Sequence, residues 1–159
     1  MTEQATPAAV QQSVTVPLSE EEAFELFVDG IDQWWPKGGT HSLTKSATFY
    51  LEAREGGRWG EQDPDGDYCP WGRVLSVDRP RRIVMAWQLT PDFGYDADPA
   101  KQTEVEVNFE PEGAQVTRVT LEHRGFEVWG EKAAAMRDSV GSDGGWRELL
   151  NRFAEVAAG

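Results

Sequence analysis

The chain has a single cysteine, Cys69, in 159 residues, so no internal disulfide can form and a reducing cytoplasm is the expected home. It has only two histidines, His41 and His123, and neither stands at a metal-ligand spacing from Cys, Asp or Glu, so no metal site is expected. No apolar run approaches the roughly 20 residues that span a bilayer. The opening MTEQATPAAV lacks the basic and apolar segments of a secretory leader. Basic residues are scarce: 15 Lys and Arg against 28 Asp and Glu leave a formal charge of −13. Such a surface repels phosphate backbones and anionic lipid, which excludes nucleic acid and membrane surfaces as expected partners. Its ordinary use is solubility.

Several chemical signatures are missing too. EGGRWGEQ is rich in glycine but opens no helix and lacks phosphate-loop spacing, so nucleotide binding is unsupported. DPDGDY resembles the start of a calcium loop, yet counting from Asp63 puts Tyr68 and Val74 where glycine and glutamate are required. It reads as a hairpin turn. No serine or cysteine stands in a nucleophile motif, and Cys69 before Pro70 reads as packing. No cofactor is expected.

What is present suffices for one compact domain: 39% of the residues are hydrophobic, enough for a core at this length. Residues 1–9 read as a loose tail and 10–159 as a single domain. VQQSVTV alternates like a strand. PLSEEEAFELF then carries a capping box, Ser19 with Glu22, and three glutamates at the positive end of the helix dipole. Phe24, Phe27, Val28, Ile31 and Trp35 share one helical stripe, which predicts that Trp35 is more buried than Trp34; Trp34 would cover a flank. Gly30 threatens to break that helix, and Pro36 pushes Trp35 out of helical geometry.

After residue 44 the period changes to two. SATFYLEA, RWGEQ, CPWGRVLSVD, IVMAWQLT, TEVEVNFE and QVTRVTLEHRG read as strands joined by short turns, an antiparallel meander. WGEKAAAMRDSV and WRELLNRFAEVAA read as helices, the second with Trp146, Leu149, Leu150, Phe153 and Val156 on a broad apolar stripe. One sheet with one buried face, closed by the terminal helix, is the economical α+β solution.

The motifs AFELFVDGIDQWWP, GGRW, WGRVLSVDRPRRIVMAW, TEVEVNFEPEG, VTLEHRGF and GWRELLNRF occur in this order from Val14 to Phe153. In that order and spacing the chain resembles a single-domain bacterial member of the family of activators of the ninety-kilodalton heat-shock ATPase, within the START-like (SRPBCC) superfamily. The resemblance implies the helix-grip fold, a curved seven-stranded antiparallel sheet wrapped around a long C-terminal helix with a cavity between them. It implies little about function, since the superfamily includes lipid carriers, hormone receptors, cyclases and chaperone activators.

Function must therefore come from the site. In VTRVTLEH, alternation puts His123 on the inner face with Val119 and Leu121. An inward histidine is most simply a hydrogen-bonded structural residue; its functional reading is a polar contact or proton donor in an apolar pocket. His41 reads as an exposed or rim residue. Seven tryptophans are many for this length. Some only pack, while others line a pocket, where rigid flat surfaces bind aromatic ligands at low entropic cost. The candidate ligand-binding residues are Trp35, Trp71, Met85, Trp87, His123, Phe126 and Trp146.

The leading reading is a binding module for a small apolar or aromatic molecule. An enzyme of cyclase or dehydratase type, with His123 as acid or base in the same cavity, is the second. Catalysis needs a second polar group beside the reacting atom, and no inward carboxylate is apparent. The third reading is a chaperone-interacting protein. The chaperone activators proper resemble this chain in only one of their two domains, which weighs against it. A homodimer is left open.

Overall fold

The computed structural model describes residues 9–35, 48–90 and 94–159. Strand β1 (Val10–Val16) leads into helix α1 (Glu20–Val28) and a single further turn, α2 (Ile31–Trp34). The meander follows: β2 (Thr48–Leu51), β3 (Arg58–Gln62), β4 (Tyr68–Asp78), β5 (Arg82–Trp87), β6 (Thr103–Gly113) and β7 (Val116–Arg124). A 3-10 segment (Phe126–Lys132), helix α3 (Ala133–Val140) and helix α4 (Trp146–Ala158) complete the chain.

The seven strands form one antiparallel sheet in the order β1-β7-β6-β5-β4-β3-β2. Each hairpin partner is its sequence neighbour, and β1 returns to close the far edge on β7. The sheet curls into a half-barrel around α4, which is the expected helix-grip architecture.

Local chemistry accounts for the elements. Ser19 caps α1: its Oγ accepts from the Glu22 N–H at 3.2 Å, and Glu22 Oε1 accepts from the Ser19 N–H at 3.1 Å. On β6 and β7 alternation is strict. Thr103, Val105, Val107, Phe109, Val119, Leu121 and His123 are buried inward, while Glu104, Glu106, Glu122 and Arg124 face outward. There the Arg124 guanidinium bonds Glu104, Glu106 and Glu122 at 2.8–3.1 Å, and Arg82 pairs with Glu106. No described helix is long and apolar enough to cross a membrane.

Candidate functional site

The tryptophan doublet divides the interior. Helix α1 ends at Val28, Gly30 starts a new turn, and Trp34 is its last helical residue; Trp35 is already extended, at φ −69° and ψ 127°. Two consecutive side chains therefore point to different neighbours, and both are buried. The expected ranking is reversed, since Trp34 is 0% exposed and Trp35 5%. The stripe holds only for one continuous helix, and the break at Gly30 resets its register. Pro36 and His41 lie outside the described residues.

Trp34 joins a phenylalanine nest. Its ring lies 4.9 Å from Phe27 and 5.4 Å from Phe153, and Phe27 meets Phe109. Its Nε1–H donates to the Phe27 carbonyl at 3.2 Å. Trp35 joins a second nest made mostly of tryptophan. Its ring lies 4.7 Å from Trp71, 5.9 Å from Phe49 and 6.0 Å from Trp146. Trp71 meets Trp59, Trp59 meets Trp87, and Trp87 meets both Trp146 and His123. His123 meets Phe126 at 4.8 Å.

Six of the expected site residues, Trp35, Trp71, Trp87, His123, Phe126 and Trp146, thus lie in one chain of ring contacts. Met85 is buried in the same core, two residues before Trp87 on β5. Gly72 makes room for this wall: a Cβ there would run into the Ala86 carbonyl and lie 2.8 Å from Trp59 Nε1. That indole N–H donates to Ala86 O at 2.8 Å, directly over the glycine.

His123 is fully buried, with both ring nitrogens engaged. Trp146 Nε1, which can only donate, bonds Nδ1 at 2.9 Å, so Nδ1 carries no proton. The ring proton therefore sits on Nε2 and is donated to Thr103 Oγ1 at 2.8 Å. The Thr103 hydroxyl in turn reaches the Trp87 carbonyl at 3.5 Å. Burial pushes the imidazole pKa down to about 3, because the charged form would lose its hydration. In this arrangement His123 is a neutral clamp on Trp146.

Two polar groups of the tryptophan nest were not foreseen. Glu61 on β3 is 0% exposed, and its Oε1 accepts from Trp71 Nε1 at 3.1 Å. The expectation that no carboxylate faces inward is corrected by this residue. The signal was in RWGEQ: with Trp59 inward, period two also places Glu61 inward. The second group is Trp87 Nε1, a buried donor with no partner, whereas the indole N–H groups of Trp34, Trp59, Trp71 and Trp146 are all bonded. Among the described residues, no cluster of three or more His, Cys, Asp or Glu could hold a metal.

Comparison with known proteins agrees with this architecture. The sequence profile of the Activator of Hsp90 ATPase homolog 1-like protein family matches residues 17–158. No curated protein matches the chain. Among solved structures, the anthrahydroquino-γ-pyrone synthase Txn09 is 34% identical over 95% of this chain and 97% of its own, with a TM-score of 0.67. CalC, a self-sacrificing resistance protein from Micromonospora echinospora, is also 34% identical, over 94% of this chain and 93% of its own, with a TM-score of 0.69. A protein from Arthrobacter aurescens shares the fold at 18% identity, covering 94% of this chain and 85% of its own, with a TM-score of 0.66. The chain belongs to the Activator of Hsp90 ATPase homolog 1-like family.

Proposed function

We propose that this family member binds a flat, largely apolar polycyclic aromatic molecule between the sheet and α4, against the tryptophan nest. The observation that carries the reading is Trp87 Nε1. It is a buried donor left unpaired among rings whose other bonded indoles all have acceptors. Leaving such a group unmade costs on the order of 1–3 kcal/mol, which a carbonyl oxygen of a bound ligand would recover. Rigid indole rings, here meeting edge to face or tilted, suit an aromatic guest because they gain contact area with little loss of side-chain entropy. The relative described as an anthrahydroquino-γ-pyrone synthase is named for such a fused aromatic skeleton, which gives the reading a chemical class.

Catalysis at the same site is the second reading, favoured by that synthase relative. It does not run through His123. With a pKa of about 3 the ring is neutral near neutral pH, its one proton is committed to Thr103 Oγ1 and its lone pair to the Trp146 N–H. Titration with 9,10-anthraquinone, followed by tryptophan fluorescence, tests the binding reading. Saturable quenching at micromolar concentration is expected, and a flat titration sinks it. Mass analysis of a fused polyketone after incubation separates the two readings: recovery unchanged supports binding, and loss of water supports catalysis.

A further inference from the structure

Hydrogen-bonding capacity is left over at one end of the sheet. Among the described residues, four buried side-chain atoms lack a partner: Tyr50 Oη, Trp87 Nε1, Gln102 Oε1 and Trp129 Nε1. Tyr50 is on β2, the edge strand, whereas the other three belong to one corner of the fold. Trp87 ends β5, Gln102 immediately precedes β6, and Trp129 lies shortly after β7. Antiparallel pairing sets these strand ends side by side, with Trp87 opposite Thr103 and Glu104 opposite Arg124. Gly125, at φ 89°, then turns the chain over the start of β6, so that a Cβ on it would lie 3.8 Å from Thr103 Cα. The 3-10 turn that follows touches the short 3-10 segment Pro99–Lys101, which Gln102 caps. Phe126 and Trp129 are three residues apart in that turn, a spacing that puts both side chains on one side. Phe126 meets His123 in the tryptophan nest, and Trp129 packs against the core.

We infer that Gln102 and Trp129 are specificity-determining residues that together take up a phenolic hydroxyl of the bound aromatic. Buried polar atoms are almost always bonded, so two left over on touching segments mark a definite chemical need. The amide oxygen of Gln102 only accepts, the indole N–H of Trp129 only donates, and the two are not bonded to each other. A ketone oxygen would satisfy the indole alone, and an ammonium group the amide alone. A hydroxyl both gives and takes a proton, so it satisfies the pair. The inference rests on the binding reading above and gives it a direction. The oxygenated edge of the ligand lies toward the ends of β5, β6 and β7, with a ring carbonyl on Trp87 Nε1, and its hydrocarbon end lies toward Trp35 and Phe49. The ligand class becomes a hydroxylated polycyclic ketone or quinone, not a bare hydrocarbon.

The test titrates the whole protein with 2-hydroxyanthraquinone and 2-methoxyanthraquinone, at a mildly acidic pH that keeps the phenol protonated. The unaltered protein should prefer the hydroxyl probe by about 10-fold or more, the worth of two neutral hydrogen bonds. Gln102→Met removes the amide at nearly constant shape, and Trp129→Phe removes the indole N–H; both are checked for folding by near-UV circular dichroism. In each variant the preference should fall to about threefold or less. A residue that only packs would weaken the two probes alike, so an undiminished preference overturns the inference. If one variant does not fold, the other decides by the same ratio. Urea titrations of the two variants and of the double variant add an independent check. Their stability losses should add; strong coupling would show that the indole and the amide bond each other in solution, which also overturns the inference. Equal binding of both probes by the unaltered protein, the outcome if the pair holds a water molecule, overturns the role of Gln102 and Trp129 and leaves the binding reading standing. If 9,10-anthraquinone binds and neither substituted probe does, only the inference falls. If none of the three binds, both readings fall together.

Discussion

Trp34 and Trp35 are neighbours in sequence, yet they open onto two interiors of different chemistry. On the Trp34 side, Phe24, Phe27, Phe109 and Phe153 make edge-to-face contacts at 5.2–5.7 Å, and the only polar atom the doublet contributes there, Trp34 Nε1, is bonded to Phe27 O. On the Trp35 side the rings are mostly indoles, interleaved with Glu61, His123 and Thr103. The first nest needs only shape to be stable. The second carries donors and acceptors that packing alone does not call for, since burying polar groups is neutral at best. On the binding reading proposed above, recognition would fall to the Trp35 side and mechanical support to the Trp34 side.

The largest expected effect breaks this division if it is wrong. Trp34→Ala removes a ring that is wholly buried against three others, and should cost about 3–5 kcal/mol in a urea titration. The folded fraction should bind an anthraquinone probe as the unaltered protein does. Trp35→Ala should cost a similar amount and also weaken the probe, because its ring faces Trp71 and Trp146. Weakened probe binding in Trp34→Ala would show that the two nests act as one.

How much of this could be read from the sequence follows the same division. The meander was legible because β6 and β7 alternate without interruption, and α1 because Ser19 and Glu22 are spaced for a capping box. That these rings would meet in the interior was legible too, since large aromatics on inward positions have nowhere else to go. The order of burial at Trp34 and Trp35 was not, because it depends on where a helix breaks by a single residue at Gly30. Glu61 was missed because a glutamate in a short strand reads as solvent-facing unless its neighbour Trp59 fixes the face. The hydrogen bonding of His123 depends on Trp146, 23 residues away, and on Thr103 on the adjacent strand, and no local pattern shows such a pair.

A second effect sharpens the account of the polar nest through pH. Above about 6.5, the ordinary value for histidine, folded and unfolded chains both hold a neutral His123. Between 6.5 and about 3 the unfolded chain takes up a proton that the folded chain excludes. Stability therefore falls as pH is lowered through that window, with a slope approaching about 1.4 kcal/mol per pH unit for the one group. Glu52, bonded by Arg58, and Glu106, bonded by Arg82, are held down to about 2, so their contributions are lost only as pH falls below the ordinary 4.5. Urea midpoints measured from pH 7 down to pH 5, a range set by those values, should thus report His123. His123→Leu should be less stable throughout but should lose that slope. A slope unchanged in His123→Leu would mean that the ring is not the group excluded from protonation.

The smallest expected effect is the most telling about Trp87. Trp87→Phe and Trp146→Phe delete the same atoms from two rings packed 5.6 Å apart in one nest. Their hydrogen bonding differs. Removing the Trp146 N–H strips His123 Nδ1 of its donor and leaves a buried acceptor unpaired, a penalty on the order of 1–3 kcal/mol beyond the lost ring volume. Removing the Trp87 N–H takes away a group that was already unpaired, so its desolvation cost is recovered and offsets the lost volume. Trp87→Phe should therefore lie within about 1 kcal/mol of the unaltered protein and be clearly more stable than Trp146→Phe. The same substitution should weaken 9,10-anthraquinone by up to about tenfold, the worth of one neutral hydrogen bond. A residue whose alteration leaves stability in place and lowers affinity is held in the fold for its ligand. Equal destabilisation of the two variants would mean instead that the Trp87 N–H already has an acceptor within the protein, and the polar nest would then be as closed as the phenylalanine one.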